Sequence, residues 1–231
     1  ATHGLFPYRG KFHPQLIKAL INIIGIRKGE TILDPMCGSG TANIEAALMG
    51  INSYAIDLSP FCQFMTMVKY NSLTIDAKIL NGISKKSEEL FKFFMPDPSC
   101  KQIQKITDMQ EKKIYELALL AFLDSLGYSK RVVASTHRQL FTKVLKRYED
   151  TVSNFLNHNL KYLSDIGNLN VLSNATATRI LLEDNSIDGV ITSPPYSFAI
   201  DYVKNDEAQL SFLGYNINEI RNNMIGLVGR N

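Results

Sequence analysis

Long apolar runs are missing from this chain. No stretch approaches the 18 apolar residues of a membrane-spanning helix, and no charged-then-apolar leader is present, so the expectation is a cytoplasmic protein without membrane spans. Cysteine is scarce. Cys37, Cys62 and Cys100 are odd in number and show no C-x-x-C spacing, which signals neither a disulfide framework nor a metal site and fits a reducing compartment. Strong charge of one sign is also missing: the net charge of +3 permits a polyanionic partner without demanding one. There is no internal repeat and no low-complexity stretch. What is present is 231 residues, 45% hydrophobic and 20% charged, enough for one sizeable core.

Hydrophobic periodicity and turn residues organise the chain. Residues 14–24 predict a helix with Pro14 in its first turn, followed by Gly25 and Gly29. Residues 31–34 read as a short strand stopped by Pro35. A glycine-rich turn follows, then a helix from Thr41 to Met49 closed by Gly50. Residues 53–57 form a second strand, and Ser59-Pro60 starts a helix reaching about Tyr70. This order is the beginning of a doubly wound α/β sheet. Residues 76–165 then read as helices, with a break at Pro96 and Pro98, the best helix at Glu111–Leu126, another one or two over Arg138–Leu163, and a weak strand signal at Val132-Val133. Strands return near 170–173 and 187–192. The expected organisation is therefore an α/β domain from residues 1–75 and 166–231, interrupted by a helical insertion at 76–165.

In an open α/β sheet, ligands sit outside the carboxyl ends of the strands, where the turn Asp34-Pro35-Met36-Cys37-Gly38-Ser39-Gly40-Thr41 lies. Gly38 and Gly40 let backbone come close to a ligand. The spacing departs from the dinucleotide pattern G-x-G-x-x-G, and no Lys follows the glycines as in a phosphate-binding loop. Asp34 would repel a pyrophosphate but suits the α-ammonium of an amino acid, which S-adenosylmethionine carries. Asp57, at the end of the second strand, can accept hydrogen bonds from ribose hydroxyls. By itself the turn also fits a generic Rossmann-like turn with a capping Asp.

The fourth strand ends in Thr192-Ser193-Pro194-Pro195-Tyr196. Consecutive prolines fix φ and carry no N–H, so their carbonyls stay available as acceptors. The Ser193 hydroxyl and the Pro194 carbonyl could accept both N–H groups of a base amine and aim its lone pair at a sulfonium methyl. Tyr196 offers a face for stacking a base extruded from a duplex. A stiff strand-ending turn with a core tyrosine is the other reading of this segment alone.

The turn Asp34–Thr41 resembles the cofactor motif of the amino-methylating DNA methyltransferases, which use S-adenosylmethionine. Phe12-His13-Pro14 resembles the element those enzymes place against the methionine end of the cofactor. The resemblance implies a Rossmann-like class I methyltransferase sheet with a helical insertion. It implies cofactor-binding roles for Phe12, Asp34, Pro35, Cys37, Gly38, Gly40, Thr41 and Asp57, and for Asn174, where the family often has an Asp. It implies catalytic roles for Ser193, Pro194, Pro195 and Tyr196. The Ser-Pro-Pro-Tyr form is typical of N4-cytosine enzymes, with adenine-N6 left open; segments 199–202, 213–215 and 221–226 look like a subgroup of DNA modification methylases. The implied partner is double-stranded DNA with the target base flipped. RNA or protein-amide methylation, and a non-catalytic subunit of a split methyltransferase, are the alternatives.

Two further expectations follow. Between Ser84 and Arg147 there are thirteen Lys/Arg against seven Asp/Glu, a surface that suits either phosphate tracking or ordinary solvation. Phe91, Phe93 and Phe94 there suit core positions. Only four strands are found for a seven-strand sheet, so the sheet is expected to be incomplete at its C-terminal side, by truncation or because a second polypeptide completes it.

Overall fold

The computed structural model describes residues 1–8, 10–95, 100–129, 135–194 and 201–224. In chain order these form α1 (Pro14–Ile24), β1 (Thr31–Asp34), α2 (Thr41–Leu48), β2 (Asn52–Ala55), α3 (Pro60–Asn71), α4 (Ala77–Leu80), α5 (Ser87–Phe94), α6 (Cys100–Ile103), α7 (Met109–Ser129), α8 (His137–Asn159), β3 (Leu169–Val171), β4 (Gly189–Val190), α9 (Tyr202–Asn205), α10 (Glu207–Phe212) and α11 (Ile217–Asn222). They pack as two compact units. One comprises Tyr8–Met67, Tyr162–Glu207 and Asn216–Asn231; the other comprises Ala1–Pro7, Val68–Lys161 and Ala208–Tyr215. The chain is thus α/β with a Rossmann-like parallel sheet, as expected. The helical unit takes in the N-terminal residues, Val68–Lys161 and most of α10, so its bounds differ from the insertion expected at 76–165. Val132-Val133 and the Pro96–Pro98 break lie outside the described residues.

The α/β unit is organised by β1. All four strands are parallel in the order β3-β2-β1-β4. Alternation along β1 sends successive side chains to opposite faces. Ile32 enters one cluster with Ile17 and Ile21 of α1, Ala42 and Ala46 of α2, Ile51 and Ile191. Leu33 enters the other, with Ile56 and Ala175. A strand buried on both faces reads as a continuous apolar run, which is why Thr31–Asp34 lacks polar alternation. Only alanines of α2 join the first cluster, and their small side chains let the helix lie close to the sheet.

Strand lengths differ from expectation for a local reason. β2 spans Asn52–Ala55, and Ile56 still runs beside β1, its N–H donating to the Asp34 carbonyl at 2.9 Å, before Asp57 leaves the sheet. β4 spans two residues, but the Asp188 N–H donates to the Thr31 carbonyl at 2.9 Å and the Ile191 N–H to the Leu33 carbonyl at 3.1 Å, so residues 188–191 run beside β1. Among the described residues β4 pairs with β1 only.

In the helical unit α7 is buried on every side from Leu117 to Leu123, while α8 buries Phe141, Val144, Leu145, Tyr148, Val152 and Leu156 along one face. The Asp124 carboxylate accepts from Arg147 Nη2 at 2.6 Å and from the Tyr148 hydroxyl at 3.0 Å, joining the two helices. Phe94 is fully buried, and Phe91 and Phe94 both pack on Phe122 and Phe141. Among the described residues several basic groups of this unit sit in ion pairs: Lys92 and Arg138 with Glu88, and Lys146 with Asp150. No described helix is long and apolar enough to cross a membrane.

The entry into β3 depends on a missing side chain. A Cβ on Gly167 would stand 1.9 Å from the Ile51 carbonyl oxygen. That neighbour is backbone and cannot rotate away. Gly167→Ala is expected to cost about 3 kcal/mol or more of unfolding free energy, by analogy with other overpacked sites. Urea unfolding checks this, and a loss below about 1 kcal/mol would contradict it.

Candidate active site

The carboxyl ends of β1, β2 and β4 open onto a cavity of about 410 Å³ within the α/β unit. Its floor is the turn after β1. The Cys37 N–H donates to the Ile56 carbonyl at 2.9 Å, and the Gly40 N–H to the Cys37 carbonyl at 2.8 Å, curling the turn onto the end of β2. The Asp57 carboxylate then fixes it from the other side. One oxygen accepts from the Gly38 N–H and the other from the Ser59 N–H, both at 2.8 Å. Each oxygen keeps a second lone pair for a ligand. Ser59 also caps α3, accepting from the Cys62 N–H at 3.4 Å.

Gly40 has φ +73° and forms the N-cap of α2; a Cβ there would meet three Thr66 side-chain atoms between 2.6 and 2.9 Å. This glycine serves the packing of the turn on α3, and it does not line the cavity. The ligand-facing role implied for Gly40 is therefore replaced by a packing role. Thr66 in turn donates to the Gly38 carbonyl at 3.2 Å. Asn43, the residue that breaks the dinucleotide pattern, donates to the Tyr54 carbonyl at 3.2 Å and ties α2 to β2.

Phe12, Asp34, Pro35, Cys37, Gly38, Thr41, Asp57 and Ser193 all line this one cavity. Phe12 also packs on the Ile17–Ile21–Ile32 cluster, which holds it at the rim. Asn174 is exposed and lies outside the lining; Thr176, Ala177 and Thr178 stand there instead, because the chain turns in through buried Ala175 first. Pro194 is exposed and off the wall. Pro195 and Tyr196 lie outside the described residues. Motif reading gave no role to Tyr8, Cys62, Tyr202 and Asp206, which also line the wall. Asp206 was findable: Val203, Asp206 and Leu210 share a helical stripe that is otherwise apolar.

Negative charge dominates the cavity. Asp34, Asp57 and Asp206 line it with one lysine, Lys11, among the described residues. Asp34 is 2% exposed. Burial pushes its carboxyl up to about 7; the Met36 N–H opposes this and the charge of Asp57 adds to it. Asp206 is pushed up to about 7 by burial and then by Asp57. Asp57 is itself raised by burial, against the two N–H groups it accepts. Burial also raises the Cys37 and Cys62 thiols, so neither is disposed to act as a thiolate nucleophile. The Cys62 thiol donates to the Tyr8 hydroxyl oxygen at 3.4 Å, and the Tyr8 ring stacks on Tyr202 with centroids 6.4 Å apart.

A carboxyl that is harder to ionise folded than unfolded stabilises the fold at low pH and loses that effect as pH rises through its folded value. Asp34 therefore favours the ligand-free protein below about pH 4 and opposes it above about 7. Asp34→Asn is expected to gain about 2–4 kcal/mol relative to the parent between pH 4 and pH 8. Urea midpoints across that range check this; parallel pH profiles would contradict it.

Comparison with known proteins adds the family context. Residues 5–116 match the family model described as RMKL-like, methyltransferase domain. The chain is 32% identical over 154 residues to Type II methyltransferase M.MjaII of Methanocaldococcus jannaschii, covering 64% of this chain and 29% of that protein. It is 27% identical over 276 aligned positions to Type II methyltransferase M.BsoBI of Geobacillus stearothermophilus, covering 96% of this chain and 54% of that protein. A shorter match, 42% over 53 residues, is to a tRNA (guanine(10)-N2)-dimethyltransferase of Methanothermobacter thermautotrophicus, covering 23% of this chain and 16% of that protein. The chain thus spans about half the length, or less, of the curated relatives it matches. No solved structure matches it. The resemblance to methyltransferases is borne out by these matches, and over most of its length the chain is similar to proteins named Type II methyltransferases.

Proposed function

We propose that the protein transfers a methyl group from S-adenosylmethionine to the exocyclic amine of a DNA base, N4 of cytosine. One observation carries this reading. β1 and β4 are neighbours in register, Leu33 beside Val190, so the turn after β1 and Ser193 after β4 line the same cavity. That shared lining supports a cofactor site and an amine site within one enclosure.

The lining suits the cofactor. A cavity of this volume takes a nucleoside-sized ligand. Asp57 keeps acceptor capacity for ribose hydroxyls, Asp34 suits an α-ammonium, and Phe12 gives an apolar rim. When bound, S-adenosylmethionine supplies an electrophilic methyl on a sulfonium. The residues of this chain do the rest by position. The Ser193 hydroxyl, on the cavity wall, accepts one amine N–H group, and the carbonyl of Pro194, the next residue and outside that wall, accepts the other, which frees the nitrogen lone pair and stabilises the positive charge that grows on it. A carbon–nitrogen bond forms as the carbon–sulfur bond breaks, its electron pair stays on sulfur, and the nitrogen loses one proton to water. Tyr196 stacks the extruded base.

Support for DNA comes from the two longer matches, whose names are those of Type II methyltransferases. The shorter match to a guanine-N2 tRNA enzyme supports amine methylation equally and keeps RNA as the second reading. The helical residues 76–165, with exposed Lys85, Lys86 and Lys143, are our candidate for backbone phosphate contacts. The side of β4 away from β1 is where we place a second polypeptide or a further segment of the sheet.

Ser193→Ala and Tyr196→Ala are each expected to lower transfer from tritiated cofactor to DNA by about 10²-fold or more, with cofactor affinity changed less than about threefold. Loss of cofactor binding in either variant would remove Ser193 and Tyr196 from the amine site. Label entering tRNA and not DNA would favour the second reading.

A further inference from the structure

The reading above leaves one cavity carboxylate without a task. Asp206 follows α9 directly, is 6% exposed, and lines the cavity beside Tyr8, Cys62 and Tyr202. Its backbone is engaged, with the N–H donating to the Tyr202 carbonyl at 3.1 Å. Its carboxyl has no hydrogen-bond donor and no ion-pair partner among the described residues. The groups nearest it do not help: the Cys62 thiol donates to Tyr8, and both Tyr8 and Cys62 are pushed up partly by the charge of Asp206 itself. A buried carboxyl turned into a cavity without a donor is costly unless a ligand supplies one. Asp34 differs, since it already accepts from the Met36 N–H, and Asp57 accepts from two N–H groups.

Methyl transfer changes the ligand by one unit of charge. The sulfonium donor carries that charge; the thioether left behind does not. The α-ammonium is common to both, so a carboxylate that only met the ammonium would hold donor and product alike. In a site excluded from bulk water, a unit charge a few ångströms from a carboxylate is worth much more than in solvent. Burial raises Asp206 to about 7, so its negative charge is easily lost in the empty cavity and is restored when a cation enters.

We propose that Asp206 is a specificity residue that reads the charge of the ligand, so that the cavity holds the sulfonium donor more tightly than the neutral thioether product. The inference rests on the cofactor reading of the same cavity. It assigns to Asp206 a part in product exchange: once the methyl has left, the product loses its attraction to this carboxylate, and a new donor displaces it.

Calorimetric titration of the full chain tests this without turnover. The probes are S-adenosylmethionine, S-adenosylhomocysteine, and sinefungin, in which a protonated amine replaces the methylated sulfonium. The parent is expected to bind the two cations about tenfold more tightly than the thioether, the size expected of one added ion contact in a partly screened site. Asp206→Asn is expected to bring all three within about twofold of one another while leaving the thioether affinity nearly unchanged. Asp206→Glu is expected to keep a preference for the cations. A parent that already binds all three equally overturns the proposal, as does an Asn variant that keeps the parent's ratio or weakens all three alike. A parent that binds none of the three overturns the cofactor reading and the proposal with it.

Discussion

The carboxylate of Asp57 is the joint on which the cavity depends. It accepts from Gly38, in the turn after β1, and from Ser59, at the start of α3. Two separate backbone segments are thereby held against the end of β2 by one side chain. Gln63 reinforces the joint by donating to the Asp57 carbonyl at 2.6 Å. The turn needs this hold because its own hydrogen bonds run to Ile56 and Cys37 and leave the Gly38 N–H without a backbone acceptor, so the Asp57 carboxylate supplies one. Gly40 and Thr66 complete the fit from beneath, where no side chain larger than hydrogen is accommodated. The same carboxylate that could meet a ribose is thus also the brace that shapes the pocket.

Electrostatics follow from that arrangement. Asp57 is partly buried, and its charge helps raise both Asp34 and Asp206 to about 7. Three acids around one cavity are mutually unfavourable when it is empty and become favourable around a cation. In the helical unit the buried Asp124 carboxylate is met by Arg147 and Tyr148. The described buried acids of the helical unit, Glu116, Asp124 and Glu149, all accept hydrogen bonds; Asp34, Asp57 and Asp206 of the other unit line a cavity.

Much of this was legible in the sequence. The helix at Pro14–Ile24 coincides with its expected bounds, because Pro14 and Gly25 punctuate both ends and the apolar spacing is regular. The strand at Thr31–Asp34 also coincides, since Pro35 stops it. Strands at the margins were less legible: β4 shrinks to Gly189–Val190 because strand assignment follows pairing, which residue type alone does not fix. The cavity floor could be read from the glycine spacing, but which glycine faces the ligand could not. Gly40 answers to Thr66, a residue 26 positions away whose proximity only the fold creates. Likewise, the displacement of Asn174 by Thr176–Thr178 depends on the path of the chain around Ala175. Asp206 carried a signal in its apolar stripe, but no short motif surrounds it.

The account stands or falls on the ligand of this cavity. The most direct measurement is the equilibrium binding of S-adenosylmethionine and of NAD to the full chain, each compared with Asp57→Ala. The account predicts saturable binding of one S-adenosylmethionine per chain, weakened by about tenfold or more in the variant, and no comparable binding of NAD. Tight binding of NAD with none of S-adenosylmethionine would contradict it, as would S-adenosylmethionine binding that is indifferent to Asp57 in a folded variant.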